Sequence, residues 1–139
     1  MNYTLNESEI FADIHDGTAI AINSLTGIYY GMNGFGTSVF ENLLAGSSAE
    51  EVAAAAKALP GAPADVTARL DTFLATLSGF RIVLPAAAPS SRPAELDAAA
   101  AAADAFLPEC KEYSDMQELL YADPIHEVEE ETGWTPEKA

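Results

Sequence analysis

The stretch that decides the fold is residues 10–32, IFADIHDGTAIAINSLTGIYYGM. It divides into three runs rich in apolar and β-branched residues, 10–15, 18–23 and 28–32, with turn-forming residues between them. Short turns between such runs are typical of antiparallel hairpins. Residues 10–32 therefore predict a three-stranded antiparallel meander. Its last strand, Ile28–Met32, keeps one unpaired edge unless another segment covers it.

After residue 32 the apolar residues recur at the spacing that is typical of helices. Asn33 suits the start of a first helix, and Gly46 suits its end. Ser48 and Glu51 have the spacing of a capping box for a second helix. The third predicted helix, which ends at Gly79, carries an apolar stripe of Val66, Leu70, Phe73, Leu74 and Leu77. A short extended segment, 80–84, is expected to close the unit.

This order predicts an α+β, winged-helix-like fold, with a three-stranded antiparallel sheet followed by three helices. The composition changes after residue 85, because residues 86–93 are mostly Pro, Ala and Ser. Such a run predicts a linker. We therefore expect a domain over residues 1–85, a linker over 86–93 and a partly helical acidic tail over 94–139. Six consecutive alanines predict a spacer helix over 94–106 of that tail.

The chain is strongly acidic, with 22 acidic and 6 basic residues among 139 and a formal net charge of −16. This charge argues against nucleic acid or an anionic membrane as a partner, since either needs a cationic face. Any enzyme partner is expected to present a basic docking face. The single cysteine excludes a disulfide framework within the chain. No apolar run approaches the ~20 residues of a membrane span. We expect a cytoplasmic protein.

One part of the sequence resembles a known family. Residues 23–33, NSLTGIYYGMN, followed by Gly36, Val39, Phe40 and Leu43-Leu44, resemble the third strand and first helix of the PqqD-like family. Residues 48–52 and 65–79 follow in the order of that family, so the resemblance covers about residues 8–84. The family supplies the RiPP recognition element, a small domain that binds the leader of a ribosomally made precursor peptide.

The resemblance implies a non-catalytic protein that binds a precursor leader as an added strand and presents it to a modifying enzyme. The leader is expected on the edge of the third strand, in a groove walled by the third helix. The implied peptide-binding residues are Gly27, Ile28, Tyr29, Tyr30, Gly31, Met32, Val66, Arg69, Leu70 and Phe73. The residues themselves support this site, because a strand edge with glycines lets another backbone approach. Core packing remains the alternative for these side chains, namely Tyr29, Tyr30, Val66, Leu70 and Phe73, and a solvated helix face is the alternative for Arg69.

The tail combines acidic residues with large apolar ones, which a purely solubilising tail rarely carries. We interpret residues 107–139 as a docking or modification segment. Its candidate residues are Met116, Leu119, Leu120, Ile125, His126, Val128 and Trp134. The alternative is a tail that only packs on its own domain. Ser114 and Gln117 have capping-box spacing for a second short helix in it.

The residue inventory supports no catalytic, metal or cofactor site. His15 and His126 are the only imidazoles, and Cys110 has no basic neighbour except Lys111 and no helix start to activate its thiol. Three functions therefore stay open. The first is a discrete peptide chaperone. The second is a precursor or carrier in which the recognition domain is fused to its own substrate segment, 107–139. The third is a winged-helix DNA-binding regulator, which a net charge of −6 on residues 1–85 disfavours.

Overall fold

The structure is a computed structural model that describes residues 1–114. The predicted second tail helix and the candidate tail residues from Met116 onward lie outside the described residues. The strands are β1 (Tyr3–Leu5), β2 (Ile10–His15), β3 (Thr18–Asn23), β4 (Tyr29–Met32), β5 (Val83–Pro85) and β6 (Cys110–Tyr113). The helices are α1 (Gly34–Ala45), α2 (Ala49–Lys57), α3 (Val66–Gly79) and α4 (Ala98–Ala103). These antiparallel strands and helices confirm the α+β fold class.

The predicted meander forms, but it is part of a larger sheet with the strand order β2-β3-β4-β6. The outer edge of β4, which was expected to stay unpaired unless another segment covers it, is covered, because Cys110–Tyr113 pairs antiparallel with that edge. The sequence of β6 carries no strand signal of its own. Its pairing joins residues about 80 positions apart, and only the folded domain brings them together.

A second, two-stranded sheet joins β1 to β5, with Tyr3 opposite Pro85 and Leu5 opposite Val83. The predicted extended segment at 80–84 starts later than expected. Helix α3 runs to Gly79, and Arg81 then takes a left-handed conformation with φ 60° before the strand begins. The Asn6 side chain is buried and donates to the Arg81 carbonyl at 2.9 Å, which holds this turn against the N-terminal segment.

Local signals place the first two helices as expected. The Asn33 side chain accepts the Gly36 amide, and Gly46 ends α1 with φ 114°. Ser48 and Glu51 form the predicted capping box at the start of α2. The core lies between the helices and one face of the larger sheet. Its largest fully buried apolar side chains are Phe35, Phe40, Leu43, Leu70, Leu77, Ile82, Val39, Val52, Val66 and Val83. No helix within residues 1–114 has the length and apolar character needed to cross a membrane.

Residues 90–109, which we call the strap, run back along α1 and are fastened by its polar side chains and those of its neighbours. Among these bonds, Ser47 Oγ donates to the Arg92 carbonyl at 2.7 Å, and the Asn42 side chain bonds to both backbone groups of Glu95. Within the strap, α4 begins at Ala98 with Asp97 as N-cap, later than the spacer helix expected from residue 94. The division into domain, linker and tail stays a prediction.

Glu51 ties the strap to the start of α2. Its carboxylate accepts hydrogen bonds from the Ser91 hydroxyl at 2.6 Å, the Arg92 amide at 2.9 Å and the Ser48 amide at 2.8 Å. These bonds, led by the one from Ser91, lower the pKa of Glu51 from 4.5 to about 2. The ionised form is therefore the one that the folded chain stabilises.

A lowered folded-state pKa adds stability above the unfolded value, and this contribution is lost as the pH falls toward the folded value. Glu51→Gln is therefore expected to lower the free energy of unfolding at pH 6 and to flatten its decline between about pH 4.5 and 2. Urea titrations of the parent and the variant at several pH values measure the difference. Two parallel pH profiles over this range would contradict the assignment.

Candidate functional site

The main-chain groups of Tyr29 and Gly31 face the outer edge of β4. The Asn23 amide donates to the Ile28 carbonyl at 2.9 Å, and on the other side the Asn33 amide donates to the Glu109 carbonyl at 3.1 Å. Because bonded pairs alternate along an antiparallel ladder, Tyr30 bonds to β3 while Tyr29 and Gly31 bond outward. The main-chain N–H and C=O groups of these two residues can therefore bond to any strand that lies beside this edge.

Strand β6 occupies this edge in full register. Tyr113, Glu112, Lys111 and Cys110 lie opposite Tyr29, Tyr30, Gly31 and Met32, in that order. Side chains at paired positions share a face of the sheet. Cys110 and Glu112 therefore lie on the core face, and Lys111 and Tyr113 lie on the outer face.

The contacts of β6 are mainly those of its backbone. Lys111 and Glu112 are exposed, Tyr113 is partly buried, and Cys110 alone among these four residues reaches the margin of the core. Burial raises the pKa of the Cys110 thiol to about 12. On the same face, burial and then the carboxylate of Glu112 raise the pKa of Tyr30, whose ring lies 4.7 Å from that of Phe80.

Helix α3 forms the other wall of an open cleft of about 460 Å³ beside the docked segment. From α3 and the residue before it the cleft is lined by Asp65, Ala68, Arg69, Thr72, Phe73 and Thr76, and from the C-terminal side by residues 107–111. The cleft thus lies between the third helix and the strand that covers β4. The resemblance implies a groove between the third strand and the third helix, and no residue of β4 itself lines this cleft, so its role as the peptide groove stays a prediction.

The structure divides the predicted peptide-binding residues into two groups. Five are buried core residues, namely Tyr30, Met32, Val66, Leu70 and Phe73. Ile28, Tyr29, Gly31 and Arg69 are partly buried along the edge or the cleft, and Gly27 lies in the turn before β4 with φ 77°. Among the five, only Phe73 also lines the cleft. The assignment of these residues to a peptide site stays a prediction.

Asn33 connects the start of α1 to the segment that leads into β6. Its Oδ1 accepts from the Gly36 amide at 2.8 Å and from the Glu109 amide at 3.0 Å, and its Nδ2 donates to the Leu107 carbonyl at 2.8 Å. Gly36 must remain a glycine for this approach, because an added Cβ would lie 2.9 Å from the Glu109 carbonyl oxygen. We call Asn33, with its bonds to Leu107 and Glu109, the Asn33 clamp.

A turn at residues 104–106 holds the strap just before the clamp. The Asp104 carboxylate accepts the Phe35 amide at 2.8 Å, which satisfies a free donor at the start of α1. Ala105 and Phe106 both take left-handed conformations, with φ 54° and 58°, which non-glycine residues adopt at a cost. Arg69 compensates by donating to the Ala105 carbonyl at 2.8 Å, and the Phe106 ring is buried at 6.2 Å from that of Phe35.

Sequence reasoning missed Asn33, Asp104 and Phe106 as residues that hold the C-terminal segment. One signal was present, because Gly34 and Gly36 flank the buried Phe35 where another backbone can approach closely. An added Cβ at Gly34 would lie 3.3 Å from the Ala100 Cβ. Arg69, which the resemblance places on the peptide groove, donates to the strap and is paired with Asp65 at 3.1 Å. Residues 1–114 contain no group of three or more His, Cys, Asp or Glu that could hold a metal ion.

Comparison with known proteins gives one informative likeness. No protein-family model matches the chain, and no curated protein matches it. Among solved structures, TbiB1 in complex with the TbiA(beta) leader peptide matches with a TM-score of 0.53 and 21% sequence identity. The match covers 61% of this chain and 99% of that chain. At this identity the likeness shows a shared fold, and the rest of the present chain has no counterpart in TbiB1.

Proposed function

We propose that the protein binds a peptide as an added strand on the edge of β4 and presents it to a modifying enzyme of ribosomal peptide biosynthesis. The observation that carries this proposal is the edge itself, where Tyr29 and Gly31 direct their main-chain groups outward and accept a strand. Strand addition draws its affinity from such main-chain bonds and its specificity from pockets for alternate side chains. The cleft beside α3 is suited to receive those side chains.

Two further observations support the peptide class. The first is the PqqD-like resemblance of residues 8–84, which implies leader binding at this strand. The second is the shared fold with TbiB1, a protein solved with a leader peptide. The protein acts in this proposal without catalysing a reaction and in the cytoplasm, and its enzyme partner carries a basic docking face that matches the acidic chain.

A DNA-binding function has less support than peptide binding. Residues 1–85 contain three cationic side chains, Lys57, Arg69 and Arg81. Arg69 is paired with Asp65, and Arg81 is paired with Glu9 at 3.2 Å. Phosphate binding needs several free cations on one face, and residues 1–85 offer one.

Tyr29→Pro is expected to abolish peptide binding at β4, because proline removes the Tyr29 donor and its ring blocks the partner strand. Tyr29→Phe is the matched control, since it keeps the backbone and the ring and should bind like the parent. Because β6 covers this edge in the native chain, both variants and the parent to which they are compared are made in the full chain with Lys111→Pro, which removes a bond that holds β6. The measurement is mapping of backbone amide shifts by NMR while leader peptides encoded beside the gene are added. Shifts confined to α2, with β4 unchanged, would place the peptide site elsewhere.

A further inference from the structure

The peptide edge of β4 is occupied by the chain itself. The occupant, β6, comes from the C-terminal part of the chain, whereas the family resemblance ends at about residue 84. It pairs over four residues, and its Lys111 and Glu112 side chains are exposed. None of the largest fully buried side chains of the core comes from residues 107–113. Apart from Cys110, whose side chain packs against the margin of the core, the strand is therefore bound as a peptide is bound, through its backbone.

The segment before β6 delivers it to the edge. The turn at 104–106 and the Asn33 clamp fix the chain up to Glu109, so only residues 110–113 need to order for pairing to occur. An intramolecular partner at such short range has an effective concentration of ~mM or more. A separate peptide therefore meets an edge that is already filled, and its apparent affinity is reduced by the filled fraction.

The direction of β6 determines where the rest of the chain leaves the edge. Because β6 runs antiparallel to β4, the chain departs at Tyr113, opposite Tyr29, and continues into residues 115–139. In sequence this stretch carries carboxylates, two threonine hydroxyls, one imidazole and the only indole of the protein. These are groups that a modifying enzyme can act on.

We propose that the peptide recognised at the β4 edge is the chain's own segment 107–113, and that residues 115–139 are the cargo it presents. This inference rests on the proposed function and deepens it, because it names the substrate as an acidic segment of the same chain rather than a separate precursor. The strap thus joins the recognition domain to its peptide. One domain therefore always carries one peptide, in a fixed register against β4.

The test opens the edge with Lys111→Pro in the full chain. The Lys111 amide bonds to Gly31 by the alternation of the ladder, so proline removes a bond that holds the strand. Glu112→Pro is the matched control, because the Glu112 amide points away from β4. The probe is a synthetic peptide of residues 105–139. The readouts are amide exchange and shifts of Tyr29–Met32, and the alkylation rate of Cys110, the only cysteine.

In the parent and in Glu112→Pro, we expect protected β4 amides, no response to the peptide, and slow alkylation of Cys110. At pH 8 its rate should be on the order of 10³-fold below that of an exposed thiol, since a pKa of about 12 depletes the thiolate. Lys111→Pro should expose the Tyr29 and Gly31 amides and raise alkylation at least ~100-fold. Added peptide should then shift the β4 amides, while the same peptide with proline at position 111 should not.

Two results overturn the inference without touching the proposed function. The first is a parent chain whose β4 amides respond to the added peptide as readily as those of Lys111→Pro. The second is an opened edge that binds leader peptides of neighbouring genes but not residues 105–139. An opened edge that binds no peptide at all contradicts the proposed function itself. Protected amides at Val39 and Leu77 establish that the variant is folded. If these amides lose protection, the response of the parent's β4 amides to the added peptide decides whether the inference stands.

Discussion

Phe106→Ala is expected to release the strap from the domain. The ring is 9% exposed, belongs to the core and lies edge-on to Phe35 at 6.2 Å, so its removal leaves a cavity between α1 and the strap. Truncation of a buried phenylalanine typically costs about 3–5 kcal/mol. Burial of this ring also offsets the strain of the left-handed backbone at Ala105 and Phe106, so we expect its loss to favour undocking of the C-terminal segment. Urea unfolding and alkylation of Cys110 measure the two consequences.

A loss of stability of this size increases the population with an undocked C-terminal segment at least ~100-fold. Cys110 should therefore be alkylated faster by a similar factor. Leu107→Ala is the matched control, because the neighbouring side chain is 43% exposed and its truncation should change stability little. If Phe106→Ala unfolds at the urea concentration of the parent and keeps its thiol protected, the turn is not what holds the strap.

The elements that sequence predicts well are those with local signals. Asp16-Gly17 marks the first hairpin turn, where both residues have positive φ, and Ser48 with Glu51 marks the start of α2 through their reciprocal hydrogen bonds. Such signals lie within a few residues of the structure that they specify. The alanine run also predicts its helix, although Asp97 and the turn at 104–106 confine α4 to Ala98–Ala103.

The occupied edge could not be predicted in the same way. Residues 110–113, CKEY, have no alternation or β-branched residues, and their strand conformation is imposed by β4. The sequence did indicate that β4 would need a partner, whereas the docking or modification role of residues 107–139 stays a prediction. The sequence could not show that residues 110–113 are the partner of β4, because the connection depends on Asn33. The N-cap role of Asn33 is visible in the local sequence, but its bonds to Leu107 and Glu109 are not.

Asn33→Ala is expected to lose both the cap of α1 and the clamp on the docked segment. The cap is worth about 1 kcal/mol, and each of the two hydrogen bonds to Leu107 and Glu109 contributes about 0.5–1.5 kcal/mol. The free energy of unfolding should therefore fall by about 2–4 kcal/mol in urea titrations. The amides of Tyr29 and Gly31 should lose protection from exchange as β6 leaves the edge.

Asn33→Ser separates the two roles. Serine caps a helix about as well as asparagine, but its side chain is too short to reach the Leu107 carbonyl while it accepts from Gly36. We expect Asn33→Ser to keep the stability that comes from the cap and still to expose the Tyr29 and Gly31 amides and the Cys110 thiol. A serine variant with a fully protected edge would show that the backbone ladder of β6 holds without the clamp. The docked strand would then owe its place to β4, the turn at 104–106 and the backbone bond between the Asn33 amide and the Glu109 carbonyl. The Asn33 side chain would act only as the cap of α1.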